Sequence, residues 1–289
     1  MVGNTVFVAA YAKVNLTLDV LGKRGDGYHR LTSVLQTIAL HDALNLRLRD
    51  DAQITFTCDV AELSTADNLV VRAAHLLRKA AEQEDLGVEI ELNKHIPVQA
   101  GLGGGSSDGA SALTALNTLW NLRLPHVRLM ALAAELGSDV PFFLTGGTAL
   151  IEGRGEIVTP LPDAEPLWFV LVKPAIAVPT VEVFRRLLPE DYTDGTNSTA
   201  LVAAIQARAE LSLDRLTNTL EPAVLRQYAE VRAVKDVLNA AGALHVLVSG
   251  SGSTLYAPFR HLAEASTVYH AMRDSGHETW LTYSVAASA

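Results

Sequence analysis

The sequence lacks residues on which several classes of protein depend. Cys58 is the single cysteine, so no disulfide can form within the chain and no cysteine-ligated zinc site is indicated. The nine histidines are scattered, without the paired spacing of a metal site built from side chains. No apolar run is long enough to cross a bilayer, and the apolar start of the chain lacks the basic segment of a signal peptide. We therefore expect a cytoplasmic protein.

Positive charge is also scarce. The 23 Lys and Arg residues face 32 Asp and Glu residues, which gives a formal net charge of −9. Long-range attraction to nucleic acid or to an anionic membrane is therefore not expected. A bound anion such as ATP would have to be held by local geometry. With 289 residues, 49% of them hydrophobic, the chain can bury a sizeable core in one large domain or two ordinary ones.

Patterns typical of strands and helices alternate along the first half of the chain. Segments 44–49 and 88–92 alternate apolar and polar residues, as in antiparallel strands with one exposed face. Asp67 is the predicted cap of a helix whose apolar face lies between 69 and 80. Two further helices are predicted, from about Ser106 and between Pro125 and Gly137, a candidate C′ residue.

The glycine- and proline-rich stretch 153–166 predicts a boundary between two domains, which we place at 1–160 and 161–289. With extra helices set aside, the second half predicts the order βαββαβ, the arrangement of ferredoxin-like domains. We therefore expect an α+β protein of two domains with the active site in the cleft between them. The predicted elements are a strand at 168–173, helices near 180–188, 199–209 and 222–240, two strands around a loop at 249–253, a helix at 262–275 and a strand at 279–285.

The strongest local signal is the sequence PVQAGLGGGSSD at 97–108, between an alternating strand and a helix. Four glycines in five positions let backbone N–H groups point into one concavity, and the helix adds its free N–H groups and the positive end of its dipole. A turn alone needs only one or two glycines. We therefore predict an ATP-binding phosphate loop formed by Pro97, Val98, Gln99, Ala100, Gly101, Leu102, Gly103, Gly104, Gly105, Ser106 and Ser107.

Two other nucleotide-binding loops fit less well. The Walker pattern GxxxxGK[ST] is absent, which disfavours a P-loop NTPase. A dinucleotide fingerprint, GxGxxG, needs glycine where Ser106 stands, and it expects a fully buried parallel strand where 88–92 alternates. A dinucleotide oxidoreductase is therefore a weak alternative, which titration with NAD(P)H would test.

Three motifs together resemble the galactokinase–homoserine kinase–mevalonate kinase–phosphomevalonate kinase superfamily, abbreviated GHMP kinases. Residues 97–108 resemble its second motif, AKVNL at 12–16 its first and SGSGS at 249–253 its third, so the likeness covers nearly the whole chain. Segments 12–38 and 137–147, with the elements GYH and SDVP, resemble more narrowly the 4-diphosphocytidyl-2-C-methyl-D-erythritol kinases.

The resemblance implies a fold and a reaction. The N-terminal GHMP kinase domain would have the ribosomal protein S5 domain 2-like fold and bind ATP, and the C-terminal domain would bind the substrate. The reaction would move the terminal phosphate of ATP to the 2-hydroxyl of the substrate, in the non-mevalonate route to isoprenoid precursors. The alternatives are another superfamily member acting on mevalonate, homoserine or a sugar, and a nucleotide-binding protein that has lost catalysis.

Two residues are candidates for catalysis. Asp139 lies just past a predicted helix end and would accept or orient the hydroxyl proton. Capping of the segment 140–144 is an equal alternative on sequence alone, and the resemblance favours catalysis. Lys13 has apolar neighbours; facing Asp139, it would keep that carboxylate ionised and offset charge on the phosphoryl group. From the residues alone, an edge-strand lysine that discourages aggregation is the favoured alternative for Lys13.

Five residues are candidates for binding the substrate. Asn15 shares a strand face with the candidate lysine and could hydrogen-bond the hydroxyl. Tyr28 and His29 follow loop glycines and suit a pyrimidine, through stacking and hydrogen bonds to the ring edge. The resemblance places Phe184 on the other face of the base and makes Thr180 a substrate contact. Core packing is the alternative for Phe184, and an N-cap is the alternative for Thr180.

The remaining expectations concern the third motif, the cofactors and the partners. The loop of Ser249, Gly250, Ser251, Gly252 and Ser253 is expected to approach phosphates or substrate, with a glycine hairpin as the alternative. Mg²⁺ is expected to arrive with ATP and keep most of its waters, without a dedicated protein cage. The expected partner is a small molecule with a cytidine diphosphate group, and the chain is expected to be a monomer or weak homodimer that binds neither nucleic acid nor membrane. Two positions depart from the superfamily pattern: Gln99, where a small residue is usual, and Gly109, where alanine is usual.

Overall fold

The computed structural model describes residues 4–287. The strands are β1 (Thr5–Lys23), β2 (His29–Arg49), β3 (Ile54–Cys58), β4 (Gly87–Asn93), β5 (Thr148–Gly153), β6 (Ile157–Pro160), β7 (Trp168–Lys173), β8 (Thr217–Asn218), β9 (Leu247–Val248), β10 (Leu255–Phe259) and β11 (Glu278–Tyr283). The α-helices are α1 (Leu69–Ala81), α2 (Gly104–Leu119), α3 (His126–Leu136), α4 (Val140–Thr145), α5 (Thr180–Arg185), α6 (Thr196–Gln206), α7 (Glu221–Gln227), α8 (Ala229–Ala240) and α9 (Leu262–Asp274).

The chain forms two compact units that are interleaved along the sequence. Unit 1 comprises residues up to 12, 41–98 and 103–145, and unit 2 comprises 13–40, 99–102 and the residues from 146 onward. Each unit has its own cluster of buried apolar side chains. The stretch 153–166, predicted to be a crossing between domains, contains β6 and belongs to unit 2. The family-domain boundary at 160 stays a prediction.

Unit 1 combines a sheet with four helices. The second half of β2 pairs antiparallel with β4, which pairs in parallel with β3. The predicted alternation is confirmed, because Leu46 lies opposite Ile90 and both are buried. Helices α1, α2 and α3 cover the apolar side of this sheet and supply most of the unit's core, and α4 packs against α2 and α3.

The helix ends in unit 1 differ in detail from the prediction. The cap of α1 is Asn68 rather than Asp67, since the Asn68 side chain accepts a hydrogen bond from the amide of Val70 at 2.9 Å. α2 begins at Gly104, two residues earlier than predicted. α3 fits the predicted limits, but Gly137 follows it with an extended backbone at φ 173° instead of the left-handed conformation of a C′ glycine.

Unit 2 contains the predicted ferredoxin-like arrangement. Its four-stranded sheet has the order β11-β7-β10-β9 with every neighbour antiparallel, and α9 connects β10 to β11. The helix predicted at 222–240 is two helices, because Tyr228 leaves the helical conformation at φ −116° and ψ 95°. Elsewhere in this unit the first half of β2 pairs with β5, which pairs with β6, and β1 pairs in parallel with β8.

Candidate active site

The third motif packs directly on the first glycine of the phosphate loop. Gly101 has a left-handed backbone at φ 73°, and a Cβ atom there would lie 2.0 Å from the carbonyl oxygen of Ser249. The Ser249 hydroxyl donates to the Gly101 carbonyl at 3.0 Å, and the Thr254 amide donates to the Ala100 carbonyl at 3.4 Å. Only glycine fits at 101, because backbone occupies the space of any side chain.

Asn218 holds the third-motif loop from its other side. Its side-chain amide donates to the carbonyl oxygens of Val248 and Gly250, both at 2.7 Å. The residue is buried on β8, the short strand beside β1. Sequence reasoning missed Asn218, since a two-residue strand carries no periodic signal and its partners lie about thirty residues away.

Lys13 reaches the same loop from β1. The residue is only 4% exposed. Its ammonium Nζ donates to the Asn15 Oδ1 atom at 2.7 Å and to the Gly101 carbonyl at 2.9 Å, and its backbone amide donates to the Leu102 carbonyl at 3.0 Å. Lys13 is therefore not a solvent-exposed lysine of an edge strand. The structure instead places a buried cation against the phosphate loop.

The strand that carries Lys13 has a polar face that is buried. Apolar and polar residues alternate along it, a pattern usually typical of a strand with one wet face. In this strand the polar members are at most 5% exposed and bond to one another and to β2 and α6. These polar members are Lys13, Asn15, Thr17 and Asp19.

Two of the three candidate base-binding residues, His29 at the start of β2 and Phe184 in α5, lie together. The His29 ring lies 5.0 Å from the Phe184 ring and 6.1 Å from the Tyr192 ring, measured between centroids. Burial, with a further contribution from the positive charge of Lys23, lowers the pKa of His29 below its ordinary value. Neutral imidazole offers one donor and one acceptor, as the edge of a pyrimidine requires.

Tyr28 has a different environment from its neighbour. The residue is 55% exposed, and the Arg154 guanidinium lies 5.2 Å from its ring centroid. Thr180 is also exposed, and its hydroxyl lies 2.8 Å from the hydroxyl of Ser251 in the third-motif loop. Thr180 is the first residue of α5 and Pro179 occupies the N-cap position, so Thr180 is not the cap.

In unit 1, the start of α2 presents free amides. Gly103 precedes the helix with φ 75°, and the first intrahelical bond runs from the Ser107 amide to the Gly103 carbonyl at 2.9 Å. The amides of Gly104, Gly105 and Ser106 come before this bond and lack helical partners. A Cβ atom on Gly105 would meet nothing within 4 Å. The cradle has room for an anionic ligand such as a phosphate group.

The two departures from the superfamily pattern have local explanations. Gln99 adopts a left-handed backbone at φ 54°, a conformation costly for any residue but glycine and tolerated here at an exposed position. Gly109 lies where α2 approaches α1, and a Cβ atom there would lie 3.2 Å from the Cβ atom of Leu69. Glycine at 109 therefore permits close helix packing.

A buried ionic cluster lies beneath the start of α2. The Lys94 ammonium donates to Asp42 at 2.5 Å and to Asp108 at 2.7 Å, and each of the three side chains is at most 5% exposed. The amides of His95 and Ile96 donate to the other oxygen of Asp42, at 2.6 Å and 2.8 Å. Sequence reasoning missed this cluster, because its members are spread over more than sixty residues.

The two aspartates of this cluster are unequal. Asp42 accepts two amide hydrogen bonds besides the lysine, whereas the Oδ1 atom of Asp108 is buried without a partner. Burial raises the pKa of Asp108 to about 7, with Lys94 opposing the rise and Asp42 adding to it. Burial disfavours the charged form of Lys94, but the attraction of Asp108 and Asp42 outweighs it and raises the Lys94 pKa.

Asp139 immediately precedes α4 in unit 1 and is half-buried. α4 packs against α2, the helix that begins at the phosphate loop. The pairing of Asp139 with Lys13 stays a prediction. Within residues 4–287, no group of three or more His, Cys, Asp or Glu side chains is arranged to hold a metal ion. The same residues include no helix long and apolar enough to span a membrane.

Comparison with known proteins gives consistent matches over most of the chain. Residues 68–147 match the GHMP kinases N terminal domain, and residues 200–278 match the GHMP kinases C terminal domain. A 4-diphosphocytidyl-2-C-methyl-D-erythritol kinase of Pelotomaculum thermopropionicum is 46% identical over 94% of this chain and 96% of its own. The enzyme of that name from Brevibacillus brevis is 42% identical over 93% of this chain and 92% of its own. The chain belongs to the 4-diphosphocytidyl-2-C-methyl-D-erythritol kinase family of GHMP kinases.

Solved structures agree with this membership. A crystal structure of 4-(cytidine 5'-diphospho)-2C-methyl-D-erythritol kinase matches with a TM-score of 0.85 at 36% identity, covering 98% of this chain and 100% of the other. Homoserine kinase from Cytophaga hutchinsonii matches with a TM-score of 0.78 at 23% identity, over 99% of this chain and 96% of its own, which shows a shared fold. The α+β GHMP kinase fold and the family predicted from the three motifs are therefore confirmed.

Proposed function

We propose that the protein transfers the γ-phosphoryl group of ATP to the 2-hydroxyl of 4-diphosphocytidyl-2-C-methyl-D-erythritol. The products are the 2-phosphate and ADP, and the reaction belongs to the non-mevalonate route to isopentenyl diphosphate. The observation that carries the proposal is the buried Lys13 ammonium, 2.7 Å from Asn15 and 2.9 Å from the carbonyl of Gly101. A cation and an amide held at a phosphate loop suit the transfer of a phosphoryl group to an alcohol.

ATP is the expected phosphoryl donor of a GHMP kinase, and the free amides at the start of α2 fit its phosphates. The amides of Gly104, Gly105 and Ser106 precede the helical hydrogen bonds, and the dipole of α2 adds positive potential. Mg²⁺ bound to ATP would neutralise phosphate charge, and the hydroxyl of the half-buried Ser106 is one candidate contact for it. The hydroxyl and amides of this loop supply positioning rather than covalent chemistry.

The spacing of the candidate substrate residues supports a substrate with a distant base. His29 precedes Ser33 by four residues of β2, which corresponds to about 13 Å along a strand. Ser33 lies beside Asn15, with 2.9 Å between the Ser33 hydroxyl and the Asn15 amide nitrogen. A substrate whose base and alcohol are separated by a ribose and two phosphates can occupy both ends. Mevalonate and homoserine carry no base for the rings of His29 and Phe184.

The proposed chemistry assigns one role to each residue. Asp139 orients the 2-hydroxyl and accepts its proton, and the hydroxyl oxygen attacks the γ-phosphorus of ATP. The bond from that phosphorus to the bridging oxygen breaks, and ADP leaves. Lys13 offsets negative charge on the transferred group, and Asn15 hydrogen-bonds the alcohol. Tyr28, His29 and Phe184 hold the cytosine.

A coupled ADP-release assay tests the proposal. Purified enzyme receives ATP, Mg²⁺ and, in separate reactions, the cytidyl substrate, mevalonate, homoserine or galactose. We expect turnover with the cytidyl substrate alone, and phosphorus NMR should place the new phosphate on the 2-oxygen. Turnover of mevalonate, homoserine or galactose without turnover of the cytidyl substrate would refute the assignment.

A further inference from the structure

A chain of buried hydrogen bonds links Lys13 to β2. The Lys13 ammonium donates to the Asn15 Oδ1 atom at 2.7 Å, and the Asn15 amide nitrogen Nδ2 donates to the Ser33 hydroxyl at 2.9 Å. The Ser33 hydroxyl in turn donates to the backbone carbonyl of Thr17 at 2.5 Å. Ser33 is 2% exposed and Asn15 is 5% exposed, so water is a poor substitute for a lost partner.

The donors and acceptors in this chain allow one orientation of the Asn15 amide. A serine hydroxyl has a single hydrogen, and here that hydrogen goes to the Thr17 carbonyl, which only accepts. The Ser33 oxygen therefore presents lone pairs to Asn15 and requires the NH₂ group there. The Lys13 ammonium only donates and requires the Oδ1 atom. Flipping the amide would place the Asn15 NH₂ group against the Lys13 ammonium and the Oδ1 atom against the lone pairs of Ser33.

At the Thr17 end of this hydrogen-bond chain, Ser198 links Thr17 to the buried carboxylate of Asp19. The Ser198 hydroxyl donates to Asp19 at 2.6 Å, so its oxygen accepts from the Thr17 hydroxyl 2.8 Å away. The Thr17 hydroxyl also accepts from the Val34 amide at 3.1 Å. Thr17, which receives the Ser33 hydrogen through its carbonyl, is thus held on both sides. The direction of the hydrogen bond from Ser33 is set separately, by the Thr17 carbonyl, which can only accept.

From this geometry we infer that Ser33 is a positioning residue for phosphoryl transfer, one that locks the Asn15 amide and thereby aims the Lys13 ammonium at the phosphate loop. The inference rests on the proposed roles of Lys13 and Asn15. Nζ of Lys13 bonds both to Asn15 and to the Gly101 carbonyl, so the amide orientation sets the ammonium position beside Gly101. Ser33 acts through Asn15 and touches neither reactant.

The test compares Ser33→Ala with a matched control, Ser198→Ala. Both remove a buried serine hydroxyl from the same network, but Ser198 hydrogen-bonds Thr17 and Asp19, whereas Ser33 hydrogen-bonds Asn15 directly. We expect Ser33→Ala to lower kcat by about 10- to 100-fold, as for a catalytic group misplaced by up to an ångström, with the KM for ATP within twofold. Ser198→Ala should lower the Tm and leave kcat within threefold. Ser33→Thr, which keeps the hydroxyl, should restore most of kcat.

A double-mutant cycle separates positioning from general stabilisation. If Ser33 acts through Asn15, adding Ser33→Ala to Asn15→Ala should lower kcat no further. Should Ser33→Ala fail to fold, Ser33→Cys replaces it, because a thiol keeps the volume but is a poor acceptor. The inference is overturned if the Ser33 variant keeps kcat within twofold of the parent, or if both serine variants lose kcat and Tm in parallel. Absence of kinase activity in the parent enzyme would instead contradict the proposed function.

Discussion

The carbonyl oxygen of Ser249 occupies the space that a Cβ atom of residue 101 would need, at 2.0 Å. Two motifs nearly 150 residues apart therefore share one packed backbone contact. The Ser249 hydroxyl reinforces the contact by donating to the Gly101 carbonyl, the same oxygen that receives the Lys13 ammonium. The third motif thus supports the first glycine of the phosphate loop and the lysine beside it.

Gly101→Ala should disrupt this contact. The new methyl group must displace backbone atoms, and alanine must adopt the left-handed conformation that glycine has at this position. We therefore expect a loss of about 2–4 kcal/mol in the free energy of unfolding and a decrease of at least tenfold in kcat/KM. Gly276→Ala is the control, because Gly276 has a similar φ of 80° but open space around its Cβ position. Thermal unfolding and steady-state kinetics would measure both. Equal, small losses in the two variants would show that the Ser249 contact matters little.

Much of the fold follows from local sequence pattern. The alternation at 88–92 and the helix between Pro125 and Gly137 depend on residues close in the chain, and both were predicted correctly. The βαββαβ order of unit 2 was also predicted, from strand and helix patterns that lie in consecutive segments of the chain. The break at Tyr228 was missed, since the helical pattern continues across it.

The site is harder to predict, because its contacts join distant residues. The alternation from Lys13 to Asp19 indicates a strand, but nothing local shows that its polar side is buried against Ser33 and Ser198. Asn218 illustrates the same limit, since its role depends on carbonyl groups of another strand and loop. Lys13 and Asn15 were found through the motif resemblance, and the Ser33 contact became visible only in three dimensions.

Asp139→Ala should abolish turnover while ATP binding survives. Loss of a positioned base costs roughly 10²–10⁴-fold in kcat. The matched variant Asp139→Asn keeps the size of the side chain but cannot accept the proton, so a comparable loss is expected if proton transfer matters more than orientation. Calorimetric titration with a nonhydrolysable ATP analogue would measure binding. A kcat of Asp139→Ala within tenfold of the parent would contradict the catalytic role.

Asp108 should make stability depend on pH. Its pKa of about 7 in the folded protein exceeds the ordinary 3.8, so between these values the native state binds more protons than the unfolded chain. The contribution of this group to the free energy of unfolding is fully present below about pH 4. It is lost as the pH rises to about 7, by up to about 1.4 kcal/mol per pH unit. Asp108→Asn, which cannot ionise, should gain stability relative to the parent between pH 5 and pH 8.

Chemical denaturation at pH 5 and pH 8 would measure this difference for Asp108→Asn. Asp85→Asn removes the same charge from an exposed aspartate and serves as the control. Its stability relative to the parent should change much less between the two pH values. A relative stability of Asp108→Asn that is the same at both would show that the buried carboxyl does not hold its proton.

Lys23→Gln should shift the pH dependence of substrate binding. Burial and the charge of Lys23 lower the His29 pKa below its ordinary value of 6.5. The imidazole therefore stays neutral when the pH falls to 6.5. Protonation would remove the acceptor nitrogen that we propose contacts the cytosine, so the KM for the cytidyl substrate should be constant from pH 8 to 6.5 and rise only below it. Removing the Lys23 charge raises the His29 pKa, and the rise in KM should then begin at a higher pH. Lys79→Gln on α1 makes the same charge change elsewhere and should leave the pH profile unchanged. The KM for ATP should show no such shift in any of the variants.

An unchanged profile in Lys23→Gln, or a shift to lower pH, would show that His29 does not hold the base through its neutral ring.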